Sequence, residues 1–139
     1  MKEEWRDKVR DLEKDGLSIQ LEREGDVFFV SREPMLRPLF RCLEQHREEM
    51  AGALVIDKIV GLAAAYLCGL GGVGAVYTPT ASESARNHLR ACGIELRALR
   101  IIPQIMNRDN SGPCPMEQLA VASGSPEAFH RELKKRIIL

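Results

Sequence analysis

The stretch Asn107-Arg108-Asp109-Asn110-Ser111-Gly112-Pro113-Cys114-Pro115-Met116-Glu117 sets an amide, a guanidinium, a carboxylate, a hydroxyl and a thiol side by side. Asn, Asp, Ser, Gly and Pro are also what any turn requires, so much of this loop has an ordinary explanation. Arg108 beside Asp109 is the surplus: it is either a structural ion pair or a fork for a ligand carboxylate or phosphate. Cys114 falls at the N-cap of a predicted helix with Pro115 at its first position, where the helix field lowers a thiol pKa and raises its thiolate fraction. Two readings of Cys114 stand, a nucleophile or a small core hydrophobe, because free cysteines are among the most buried residues. Glu117, three residues on, suits the capping position of its own helix.

A second concentration of chemistry is Asp57-Lys58, followed by Gly61, at the exit of an apolar strand. Asp57 is either an N-cap accepting backbone N–H groups or part of a site. Lys58 in a first helical turn opposes the macrodipole by about 0.3–1 kcal/mol, so a structural reason for it is weak. It either reaches solvent or joins free helix-start amides in holding an anion. His46, His88 and His130 lie within charged helices and outside these stretches, so no cysteine–histidine pair is written locally and they are expected at the surface.

These groups need elements to place them. Trp5, Val9 and Leu12 recur at helical spacing over residues 2–14, and Gly16 ends that helix. Leu17, Ile19 and Leu21 alternate with polar residues, Glu24-Gly25-Asp26 turns the chain, and Val27-Phe28-Phe29-Val30 completes a hairpin. Pro34 and Pro38 bracket the approach to a helix expected over about 36–49. From Ala53 the order becomes strand (53–56), buried helix (59–70), strand (73–77), helix to Ala91, and strand (94–102). Thr80-Ala81-Ser82-Glu83 has the spacing of a capping box, with Thr80 as the cap. Helices over 115–122 and 126–138 close the chain. A hairpin followed by crossover units implies an α/β fold, a mixed five-stranded sheet with helices on both faces and an N-terminal antiparallel hairpin. Ligands of such sheets gather beyond the carboxyl ends of the parallel strands, where Asp57-Lys58 and the 107–117 stretch both fall.

The whole sequence narrows the classes. Its 139 residues fit a single domain, 1–139, with residues 1–15 as an N-terminal helix. Twenty basic and twenty acidic residues cancel, leaving no strong overall field for nucleic acid or an anionic membrane. The basic run Arg131, Lys134, Lys135, Arg136 is interleaved with Glu127 and Glu132 and suits a solvated helix end. Cys42, Cys68, Cys92 and Cys114 show no paired spacing, which suits a reducing compartment. The charged opening Met1-Lys2-Glu3-Glu4 is unlike a signal peptide, and the glycine-broken stretch 59–76 is no bilayer span. The expectation is a cytoplasmic protein.

Taken in order, Ser31-Arg32-Glu33-Pro34, Arg37-Pro38-Leu39, Asp57-Lys58 with Gly61, and Asn107-Arg108-Asp109 with Gly112 and Cys114-Pro115-Met116-Glu117 carry a resemblance. From about Gly16 onward the chain resembles a small bacterial family of unknown function with a cytidine-deaminase-like fold. The resemblance implies a three-layer α/β/α architecture and a ligand cleft. Working deaminases hold zinc through His or Cys ligands beside a proton-shuttling Glu. Here the corresponding stretches are Ser31-Arg32-Glu33-Pro34 and Asp57-Lys58-Ile59-Val60, with no His or Cys. Three protein ligands are needed for catalytic zinc, so neither metal nor other cofactor is expected. The leading expectation is a small anionic or nucleotide-like ligand, with Lys58 and Arg108 holding its anion, Asp57, Asn107 and Asp109 orienting it, and Glu33 or Arg32 approaching from the hairpin. If there is catalysis, Cys114 as nucleophile or Asp57 with Lys58 as an acid–base pair are its candidates. The competing class is a structural or interaction protein in which Asp57, Lys58, Arg108 and Asp109 form a buried ion-pair network. Neither a nucleic-acid nor a membrane partner is expected, and related assemblies are compatible with a homodimer.

Overall fold

The computed structural model describes residues 4–139. Helix α1 (Glu4–Lys14) turns Val9 and Leu12 inward; its expected start at residue 2 lies outside the described residues. It ends where the Leu17 N–H donates to the Leu12 carbonyl at 3.0 Å. Strands β1 (Ile19–Arg23) and β2 (Asp26–Ser31) then form the expected hairpin. Glu24 and Gly25 carry φ of 53° and 85°, the two positive values of a type I′ turn, whose twist matches that of the strands. A bulge between Leu21 and Glu22 shifts the register, and Phe28 and Phe29 both pack against the core.

The single helix expected over 36–49 is two, α2 (Arg37–Gln45) and α3 (Arg47–Met50), broken at His46 with φ −136°. There follow β3 (Leu54–Asp57), α4 (Leu62–Gly71), β4 (Ala75–Ser82), α5 (Glu83–Ala91), β5 (Glu95–Ile102), α6 (Pro115–Ser123) and α7 (Pro126–Arg136). The sheet order is β2-β1-β3-β4-β5. β1 runs antiparallel to both β2 and β3, and β3, β4 and β5 run parallel. This is the expected mixed five-stranded α/β sheet with its N-terminal hairpin.

The pleat of β3 separates two apolar layers. Val55 faces the main core, while Leu54 and Ile56 face the opposite side with Val9, Leu12 and Tyr77. α1 covers that second face, and a Lys8–Glu22 ion pair at 2.7 Å ties it to β1. On the first face α4 is the central helix, in contact with α2, α3, α5, α6 and α7. Its residues Leu62 to Cys68 are all buried, which explains why it carries no polar stripe. Each fully buried leucine there contributes about 1.5–3 kcal/mol.

Three expected boundaries move. α4 begins at Leu62 rather than 59 because Val60 stays extended and bridges β4: its N–H donates to the Thr80 carbonyl at 2.9 Å, and Ser82 N–H donates to its carbonyl at 3.0 Å. β4 therefore continues to Ser82, beyond the expected end at residue 77. The cap of α5 is Ser82, whose hydroxyl accepts from Ala85 N–H at 3.1 Å, and not Thr80. Pro79 sits inside this central strand, where it cannot donate to a ladder. The Thr78 hydroxyl accepts from Thr80 N–H at 3.2 Å and donates to the Thr80 carbonyl at 3.1 Å, satisfying the irregularity locally. Among the described residues, no helix is long and apolar enough to cross a membrane.

Candidate ligand site

The start of β1, the end of β2 and the end of β3 meet at one end of the sheet, where Ile19 pairs with both Ser31 and Asp57. The chain leaving β5 and the start of α6 arrive over the same end. They enclose a cavity of about 320 Å³. Arg32, Asp57, Lys58, Cys114 and Glu117 all line it, and Leu36, Ile59, Ile105 and Met116 supply apolar wall. This is the carboxyl end of parallel strand β3, the place where an open α/β sheet accepts ligands.

Glu117 determines the shape of the cavity floor. Its Oε1 accepts from Leu62 N–H at 2.7 Å and its Oε2 from Ala63 N–H at 2.9 Å, so one carboxylate straddles the N-terminus of α4. The N-cap itself is Gly61, which has no side chain to do this. A Cβ at Gly61 would overlap Cδ and Oε1 of Glu117, so the glycine makes room for the carboxylate rather than for a ligand. Glu117 thus caps α4 and not its own helix as expected. The anion place at the start of α4 is taken by the protein's own carboxylate, which removes the expected role of those amides in holding a ligand anion with Lys58.

Asp57 is not the expected N-cap either, since it precedes α4 by five positions. It is half-buried on the same pleat face as Val55. Burial pushes its carboxyl up to about 7 from the ordinary 3.8, partly opposed by the N–H groups of Ile59 and Lys58. A carboxyl with such a pKa is able to accept or supply a proton near neutrality. Lys58 is exposed and among the described residues has no ion-pair partner. Among the described residues Arg32 donates only to the Asp15 backbone carbonyl, at 3.4 Å. Met35, 62% exposed at the mouth, holds φ 70°, a conformation uncommon for a long side chain and frequent around ligand sites.

The remaining expected site residues are placed elsewhere. Glu33 turns away from the cavity to Arg41 at 2.8 Å and Arg37 at 3.6 Å. Asn107, Arg108 and Asp109 do not line the cavity, although Ile105 and Cys114 on either side of them do. Their loop is closed on itself: Asn107 Oδ1 accepts from Ser111 N–H at 3.0 Å, and the Ser111 hydroxyl donates to Asp109 at 2.8 Å. Asp109 is held below the usual carboxylate range by the Ser111 hydroxyl and, secondarily, the Ser111 backbone N–H. The ion-pair network considered for Asp57, Lys58, Arg108 and Asp109 is not formed.

Among the cysteines, burial pushes Cys42 up to about 12 and Cys68 higher still, which leaves both as inert core thiols. Cys114 is half-buried at the cavity. The histidines are less exposed than expected. His88 stacks edge-on with Tyr66 at 4.8 Å, and His130 packs on Phe40 and bonds Glu44. No group of three or more His, Cys, Asp or Glu side chains is placed to hold a metal ion among the described residues.

Residues 8–137 match the family described as a domain of unknown function, DUF1893 (TM1506). The chain belongs to this family. It is similar to a DUF1893 family protein of Thermotoga maritima known from a crystal structure, with a TM-score of 0.85 and 26% sequence identity over 95% of this chain and 88% of that one. No curated protein matches the chain. The DUF1893 match spans both the cavity and the loop that precedes α6, so the site belongs to the family's own domain rather than to an appended segment.

Two predictions concern the floor. Glu117→Ala leaves two α4 amides without their charged acceptor and is expected to cost about 1.5–3 kcal/mol in urea unfolding. Gly61→Ala is expected to be costly alone but much less so in the Glu117→Ala background, a non-additivity that marks direct contact; simple additivity would contradict the packing described. Asp57 gives a pH signature. Its folded pKa is raised, so the native state binds more protons than the unfolded chain between about pH 4 and 7, and stability from this group is lost as pH rises through that window. Asp57→Asn is expected to be more stable than wild type by about 1–3 kcal/mol at pH 8, with the difference vanishing near pH 4. A pH-independent difference would contradict the assignment.

Proposed function

We propose that this DUF1893 domain binds a small nucleotide-like molecule in the cavity at the end of β3, on a deaminase-like scaffold that has no zinc. The observation that carries the reading is the arrangement of one cavity: a half-buried, neutral-tending carboxyl at Asp57, apolar walls, and two cations at Lys58 and Arg32 without carboxylate partners among the described residues. Apolar walls suit a planar heterocycle. Asp57 meets that body with one hydrogen-bonding group, a donor when protonated and an acceptor when ionised. The anionic end of the ligand lies at the Lys58 and Arg32 side, because Glu117 already fills the helix terminus. The deaminase-like reading of the scaffold is supported by the hairpin followed by two crossover units and by the motifs falling at their junctions.

A second reading, a cysteine-dependent enzyme, is favoured by one further observation: Cys114 faces the same cavity as Asp57. In that chemistry the Cys114 sulfur attacks an electrophilic carbon of the ligand, forming an S–C bond as that carbon's bond to its leaving group breaks, and a water later cleaves the S–C bond to restore the thiol. Its thiol proton passes to ionised Asp57, which later returns it to the leaving group. The third reading, an interaction protein without a ligand, needs none of this chemistry.

Thermal unfolding against nucleobases, nucleosides, nucleoside monophosphates and inorganic phosphate separates these readings, since a ligand of the native state raises stability by mass action. A nucleoside monophosphate is expected to raise the Tm, and Lys58→Ala to abolish that rise while itself changing stability by less than about 0.5 kcal/mol. Protection of Cys114 from iodoacetamide by the same ligand would favour the cysteine reading. Absence of any shift across the panel would favour the interaction protein.

A further inference from the structure

A second cleft lies between α5 and the edge strand β5 and shares no lining residue with the first. Its volume is about 470 Å³. Arg86 and Arg90, four apart on α5, present their side chains to it from one helix face, opposite Ile94, Leu96, Ala98 and Ile101. Arg86 Nε is buried and has no hydrogen-bond partner. Among the described residues neither arginine has a carboxylate partner. The carboxylate in the cleft wall, Glu95, is committed to Arg97 at 2.7 Å. An arginine that merely lays its stem on apolar surface keeps its guanidinium in water; here the desolvated Nε is the exception to the rule that buried polar groups are bonded.

We propose that Arg86 and Arg90 form a binding site for a small organic oxyanion, a carboxylate or phosphate carried on an apolar body. The planar guanidinium offers two parallel N–H donors to such an oxyanion, and Nε–H is one of the donors used in side-on pairing. The apolar wall made by Ile94, Leu96 and Ile101 takes the ligand's body. The site opens at the edge of β5, which among the described residues pairs only with β4, so a ligand enters without displacing any described element of the fold.

The test is titration of phenyl phosphate and benzoate, with inorganic phosphate as the probe lacking an apolar body, into 15N-labelled protein. Saturable amide shifts at Gly93–Leu96 are expected with the two aromatic probes and weaker ones with inorganic phosphate. Arg86→Met is expected to weaken those shifts at least tenfold, about 1.4 kcal/mol. It should fold with a Tm equal to or above wild type, because it removes an unpartnered buried donor. Arg90→Met, at an exposed position, gives a second variant whose folding is not in question and is expected to weaken binding too. Absence of saturable shifts at Gly93–Leu96, or shifts that survive at full affinity in both variants, would overturn the proposal. So would a change of oligomeric state in Arg86→Met, which would make the cleft an interface between copies of the chain.

Discussion

The bond on which the rest of the structure depends is the carboxylate of Glu117 lying across the first amides of α4, at 2.7 and 2.9 Å. Charge-assisted bonds of this kind are about twice as strong as neutral ones, and here they join segments 55 residues apart. The contact fixes where α6 begins relative to the sheet, requires glycine at residue 61, and closes one side of the cavity. It also assigns charge. The protein's own anion occupies the helix terminus, and Lys58 and Arg32 are the cations that line the cavity beside it.

Asp57 links this frame to chemistry. Pairing of β1 with β3 places it opposite Ile19 in the cavity wall, where burial raises its pKa to about 7. The fold tolerates that cost because α4 and the two apolar layers supply stability elsewhere.

Much of the frame was legible in the chain. The Glu24-Gly25 turn, the alternation of β1 and the uniform apolarity of α4 each follow from local periodicity or backbone preference, and the structure has all three. What escaped reading was non-local. Val60 looked helical because it continues an apolar run, and only its bridge to Ala81 holds it extended. Thr80 has the capping-box spacing to Glu83, but β4 runs on past Pro79, where the Thr78 hydroxyl accepts from Thr80 N–H, and the cap falls at Ser82. Asp57, Lys58 and Cys114, notable by residue type at strand exits, and Arg32, which the resemblance suggests, all line the cavity. Asn107, Arg108 and Asp109 have the same polarity, but Asn107 and Asp109 bond Ser111 within the loop and none of the three lines the cavity. Glu117 was recognisable as a capping residue, whereas the helix it caps depends on packing of α6 against α4.

The most direct measurement is the 15N–1H spectrum of the protein titrated with a nucleoside monophosphate. The account predicts saturable shifts at Asp57, Lys58, Ile59 and Cys114, while the amides of Leu62 and Ala63 keep the downfield positions of protons bonded to Glu117. Upfield movement of Leu62 and Ala63 as the ligand binds would show it displacing Glu117 from the helix terminus, and would contradict the placement of the anion at Lys58 and Arg32.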